Sequence, residues 1–186
     1  MHHVSIIESE GSHMTTNINH RRQRGFTLIE IMIVIIILGV LAAIVLPAFS
    51  DATHEAREST LKDCLRYMRN EITIFTAQHR DVPPGYPGGS AAATPDAATF
   101  ISQMTSYSDE LCNLSPTPSD VFHFGQYLSS MPINPLNSQS GVWVVTGATP
   151  APDASQPYGW IYNATTQEIR ANLTGNDGAG KPYFSY

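Results

Sequence analysis

Charge is scarce in this chain of 186 residues: Asp, Glu, Lys and Arg make up 14% of it, and 10 Lys and Arg against 16 Asp and Glu leave a net charge of −6. So few cations predict no basic patch large enough to hold a polyanion, which disfavours nucleic-acid binding. Cysteine is scarcer still, with two residues, too few for a disulfide-built miniprotein. Long apolar runs are confined to one place, which excludes a polytopic membrane protein, and the composition is not that of a coiled-coil rod. The length suits a single domain. What remains is a protein with one anchor.

That anchor lies near the amino terminus. Residues 1–25 are polar, hold four of the seven His, and end in Arg21-Arg22-Gln23-Arg24-Gly25. This is the composition of a leader peptide. Gly11-Ser12-His13-Met14 reads as a tag remnant or an over-extended start, so residues 1–13 are left out of functional reasoning. From Phe26 to Phe49 the chain is apolar with one charge, at Glu30. A bilayer span needs about 20 such residues. The arginines before the run, with no equivalent cluster after it, place the amino terminus inside and everything beyond it outside.

Two ways of processing such a segment compete. A secretory peptidase would cut after the run, near Ala48-Phe49-Ser50, and release a soluble protein starting at Asp51. Glu30 argues against it, because a carboxylate in a membrane segment costs about 2.5–3.5 kcal/mol even on the lenient insertion scale and a discarded peptide gives it no purpose. The other cut falls before the run, between Gly25 and Phe26, and keeps the apolar helix. A basic leader, Gly before the cut, an aromatic after it, Glu four residues on and Pro47 further along the run together make the string Arg-Gly-Phe-Thr-Leu-Ile-Glu resemble the processing motif of type IV prepilins. That family includes pilins and the pseudopilins of type II secretion.

The resemblance implies a good deal. A prepilin peptidase would cut at Gly25/Phe26 and methylate the new amine. The chain would sit once in the inner membrane with its head in the periplasm, then self-associate into a helical filament on an inner-membrane assembly platform with minor pseudopilins. Glu30 would meet the Phe26 amine of a neighbouring subunit, since a buried carboxylate is tolerable with a partner of opposite charge; a solvated Glu30 at headgroup level is the plainer alternative. Pro47 would bend the helix.

Beyond the run, Leu61, Leu65, Met68, Ile72 and Phe75 recur at spacings of four and three, one stripe of an amphipathic helix. With no stop signal before Asp81-Val82-Pro83-Pro84-Gly85, one helix is predicted from about Phe26 to His79, roughly 80 Å long. Its first half, 26–49, is anchor and filament core; its second, 50–81, is the amphipathic spine of the head, with Glu58 and Lys62 as an i,i+4 ion pair. Residues 82–186 form the rest of the head. They are predicted to hold a Pro- and Gly-rich linker (82–95), a short helix capped by Asp96 and running to about Tyr107, loop from Leu114 to Asp120, and three strands, Val142–Thr146, Tyr158–Tyr162 and Glu168–Leu173. Consecutive strands without an intervening helix predict an antiparallel sheet and the α+β class. Met131-Pro132-Ile133-Asn134-Pro135-Leu136 resembles the turn before the sheet of major pseudopilins, with Asn134 where those usually carry Asp. That likeness points to a type II secretion pseudopilus, with the major pilin of a type IV pilus as the alternative and a membrane-tethered enzyme or binding domain as a third class.

No catalytic set assembles in the sequence, so the protein is expected not to be an enzyme and to require no cofactor. Ser and Thr are common near residues 99–119, but no motif supplies a His-Asp partner, and His54, His79 and His123 are scattered singly. Asn176 and Asp177 are the calcium candidate. One carboxylate is a thin donor set, and a Gly-rich turn is the alternative. Cys64 and Cys112 are an even count in an exported domain, so a disulfide and a pair of packing thiols are both open.

Overall fold

The computed structural model describes residues 25–186, apart from the side chains of 46–51; the basic leader lies outside the described residues, and helix is continuous through Pro47, where a bend was expected. The chain divides into two compact units, Met1–Val45 and Leu46–Tyr186. Helix α1 (Leu28–Gln78) contributes to both. Its first part, Leu28–Val45, is 18 residues, long and apolar enough to cross a membrane, and none of it is buried by the chain itself.

In the second unit α1 turns its stripe inward. Leu61, Leu65, Met68, Ile72 and Phe75 are all at most 1% exposed, as their spacing on one helix face requires. Helix α2 (Ala97–Thr105) follows, and Asp96 caps it by accepting from the Thr99 amide at 2.8 Å. Its Phe100 and Met104 enter the same core. Two short strands, β1 (Tyr107–Ser108) and β2 (Leu114–Ser115), pair antiparallel where loop was expected at Leu114. Pairs of residues carry no alternation that a sequence pattern could reveal.

The sheet is β3 (Val142–Val145), β4 (Trp160–Asn163) and β5 (Glu168–Ala171), in that order. Strand β4 is buried at every position and lies in the middle. Trp160 and Tyr162 join the core with the α1 stripe, as do Ile169 and Ala171 of β5. The α+β class holds, with a long amino-terminal helix and a small sheet, and β4 and β5 are antiparallel. Strand β3, expected to be antiparallel too, runs parallel to β4. The reason is the connection: parallel pairing needs a crossover of a dozen or more residues, and residues 146–159 supply one without forming a helix.

Three buried asparagines hold the irregular chain that this crossover entails. Asn134 Nδ2 donates to the Gly159 carbonyl at 3.0 Å, Asn163 Nδ2 to Gly147 at 2.7 Å, and Asn172 Nδ2 to Asp153 at 2.9 Å. Each lies at most 1% exposed, so each replaces a ladder bond that the loop cannot make.

Candidate processing and assembly site

Gly25 and Phe26 precede α1, and Phe26 is exposed. A Cβ added at Gly25 would meet no heavy atom within 4 Å, and its backbone lies outside the left-handed region. The fold therefore does not require glycine there. Thr27 is the residue at which the helix starts. Its hydroxyl accepts the Glu30 amide at 3.2 Å, while Glu30 Oε2 accepts the Thr27 amide at 2.8 Å and the Thr27 hydroxyl at 3.0 Å.

This is a capping box, in which the first turn's unpaired N–H groups are satisfied reciprocally by Thr27 and Glu30. A carboxylate in the first turn is also favoured by the positive end of the helix dipole. Glu30 is thus held within its own chain, next to the residue that follows Phe26. Thr27 is legible in the Thr-x-x-Glu spacing, a signal separate from the charge of Glu30.

The other sequence candidates are placed as follows. Asp177 Oδ1 accepts the amides of Ala179 and Lys181 at 2.9 and 2.7 Å, and Oδ2 accepts the Tyr186 hydroxyl at 2.5 Å, with Lys62 Nζ at 3.8 Å. The bond from Tyr186 leads the causes that lower its pKa. A cation here would have to displace these donors, and Asn176 forms a bridge to Pro182. Among the described residues no three His, Cys, Asp or Glu side chains are grouped to hold a metal. Cys64 and Cys112 are free thiols, and burial raises Cys112 to about 11.

The predicted Glu58–Lys62 pair does not form. Glu58 is buried and accepts the Tyr183 hydroxyl at 2.7 Å, with His54 Nδ1 3.2 Å away, whereas Lys62 turns to Asp177 and lies over the Tyr186 ring. The carboxyl-terminal tyrosines compete for both partners, which helix spacing alone does not foresee. Nor does the sequence join His79 to Ser108, yet His79 Nε2 is 2.9 Å from the Ser108 hydroxyl. Both residues are fully buried and the other ring nitrogen faces the Phe75 carbonyl at 2.7 Å, with no carboxylate in that place. The pair is a link in the core without access to substrate.

An apolar helix that its own chain leaves bare, opened by a capped carboxylate and followed by a helix-and-sheet head, is the layout of a chain with one segment long and apolar enough to serve as a membrane anchor. The prokaryotic N-terminal methylation motif matches residues 20–46. The type IV narrow pilus major component PilA5 of Thermus thermophilus is 34% identical over 91 residues, which is 44% of this chain and 78% of that protein. The type IV major pilin protein PilE1 of Neisseria gonorrhoeae is 40% identical over 74 residues, 40% of this chain and 35% of that protein. A fimbrial protein of Moraxella nonliquefaciens is 57% identical over 47 residues, covering 24% and 30% respectively. No solved structure matches. The chain belongs to the type IV pilin family. It matches about a third of the gonococcal pilin's length and most of the Thermus one's.

Proposed function

We propose that the chain is the structural subunit of a helical filament, made as a precursor that a prepilin peptidase cuts between Gly25 and Phe26. The observation that carries this reading is the bare Leu28–Val45 helix with Glu30 bound at its start. Glycine at position 25 has no reason within the fold, which fits a residue read by an outside enzyme. Once the cut is made, Phe26 carries an amine one residue from the Thr27 amide that Glu30 already accepts. Glu30 then bridges a neighbour's amine and its own cap. The helix spans the inner membrane once with the head in the periplasm, and on assembly at an inner-membrane platform its apolar face passes from lipid to other copies of itself.

The relatives are named as pilus components, which favours a type IV pilus fibre. A type II secretion pseudopilus with its minor pseudopilins remains the second reading, resting on the turn at Met131–Leu136. There Asn134 is buried and its Oδ1 accepts the Leu136 amide at 3.0 Å, which makes a fixed corner before the sheet.

Glu30→Gln tests the assembly role. The amide keeps an acceptor for the cap and eases bilayer residence, but it leaves each incoming amine without a counter-charge in an apolar surround. Cleavage and membrane level should be unchanged, while sheared filaments drop by about tenfold or more. Normal filament yield would remove Glu30 from assembly.

A further inference from the structure

The few cations of this chain are gathered on one side of its head. Of the 10 Lys and Arg, three (Arg21, Arg22 and Arg24) precede Gly25, which leaves seven. All of these but Arg57 and Arg80 line two adjoining grooves of about 330 and 350 Å³, which share Arg69 and Tyr186. Folding thus brings together on one surface cations that the composition leaves sparse. Lys62, Arg66 and Arg69 follow one face of α1, and Lys181 comes from the carboxyl-terminal loop. The ammonium groups of Lys62 and Lys181 lie 4.7 and 5.1 Å from the centre of the Tyr186 ring. Arg69 is fixed by the carbonyl of Ile169 at 2.9 Å and by Tyr186 O. Lys181 forms no ion pair among the described residues, Arg69 shares the nearby Glu168 carboxylate with Arg170, and the Arg66–Asp63 pair at 3.5 Å is solvent-exposed.

The opposite charge is gathered elsewhere on the same head. From Asp81 to Asp120 there are five Asp and Glu and no Lys or Arg. Asp109 builds its loop rigidly, taking the amides of Leu111 and Asn113, each at 2.9 Å, and Asn113 Nδ2 at 2.8 Å. The loop thereby presents Glu110, held in an exposed ion pair by Arg80 Nε at 3.1 Å, beside exposed Leu111 and Leu114, with Asp120 and exposed Val121 following. Acids around apolar side chains are the composition of an interface patch, with a charged rim and an apolar centre. The loop is tied to α1 at His79, about 20 Å along the helix from Arg66 at 1.5 Å per residue.

We propose that the groove of Lys62, Arg66, Arg69 and Lys181 receives the acidic 109–121 loop of a second copy of this chain. This rests on the filament reading above. Two different surfaces of one molecule, complementary to each other and displaced along one helix, make a heterologous contact, the kind that propagates into an open fibre when its rotation does not close a ring. The apolar side chains of the loop meet Tyr186 and the alkyl stems of the cations, and the acids replace water around Arg69 and Lys181.

Charge exchange in the full chain, expressed with its assembly machinery, tests it. Arg66→Glu with Lys181→Glu should lower the yield of sheared filaments by about tenfold, and Glu110→Lys with Asp120→Lys should do the same, because like charges then face each other across the contact. All four together should return the yield to within about threefold of the wild type. Processed subunit in the membrane serves as the control for folding. Wild-type yield from the groove variant overturns the proposal and leaves the filament reading in place. A groove defect that the loop reversal does not repair assigns the groove to another acidic partner and overturns it as well. A processed wild-type chain that forms no filaments overturns both readings.

Discussion

His79 shows how one side chain couples stability to acidity. Its ring is fully buried, stacked on Phe75 at 3.9 Å and edged by Phe124 and Tyr127. A carbonyl accepts only, so Nδ1 carries the proton towards Phe75 and Nε2 accepts from the Ser108 hydroxyl; the neutral ring satisfies both bonds. Burial lowers the pKa from its ordinary 6.5, against smaller raising effects of the Phe75 carbonyl bond and of Asp109. With the folded value depressed, the unfolded chain binds the extra proton first. Stability is full above about 6.5 and is lost as pH falls from there towards the folded value. The capped and turn-forming carboxylates Asp96, Asp153 and Asp177, whose pKa values are lowered from 3.8 by hydrogen bonds, act in a separate window below that figure. Melting temperature should therefore fall between pH 7 and 5, and His79→Gln should flatten that slope while lowering the melt at pH 7. An unchanged slope in the variant would place the acid sensitivity elsewhere.

Among the elements, α1 was the most legible and the sheet the least. Five apolar residues at spacings of four and three found the core stripe because a helix buries one face, and every member is inside. Asp96 was equally readable as a cap, since its side chain serves a need that every helix start has. Partners distant in sequence were not readable. Strand β3 gave its position but not its direction, which depends on how residues 146–159 are threaded and pinned by Asn163 and Asn172. Glu58 looked like half of a surface ion pair and instead receives Tyr183 from the far end of the chain. At the amino terminus Thr27 and Glu30 were three apart in plain view, and the reciprocal cap follows from that spacing alone. Leu65→Ala should cost about 2–5 kcal/mol by denaturant unfolding, because the core against β4 and β5 cannot close over the lost volume. Ile74→Ala, on a more exposed face of the same helix, should cost under about 1 kcal/mol. Equal losses would mean that the stripe does not define the core.

For the whole molecule, the division of labour is between a helix that needs neighbours and a head that does not. Leu28–Val45 has no cover from its own chain, whereas the second unit closes a core of its own around Leu61–Phe75, α2 and the sheet. Secretory cleavage after Ser50 would discard the first of these and leave the head, beginning at Asp51. Cleavage before Phe26 keeps it, and with it the Thr27–Glu30 cap and every filament property proposed above. The two differ in what remains at the new amino terminus. The mass and amino-terminal sequence of the mature chain, isolated from membranes of a host with a prepilin peptidase, decide between them. A filament subunit begins at Phe26, with the mass of one methyl group added at its amine; a mature chain beginning at Asp51 would contradict that role.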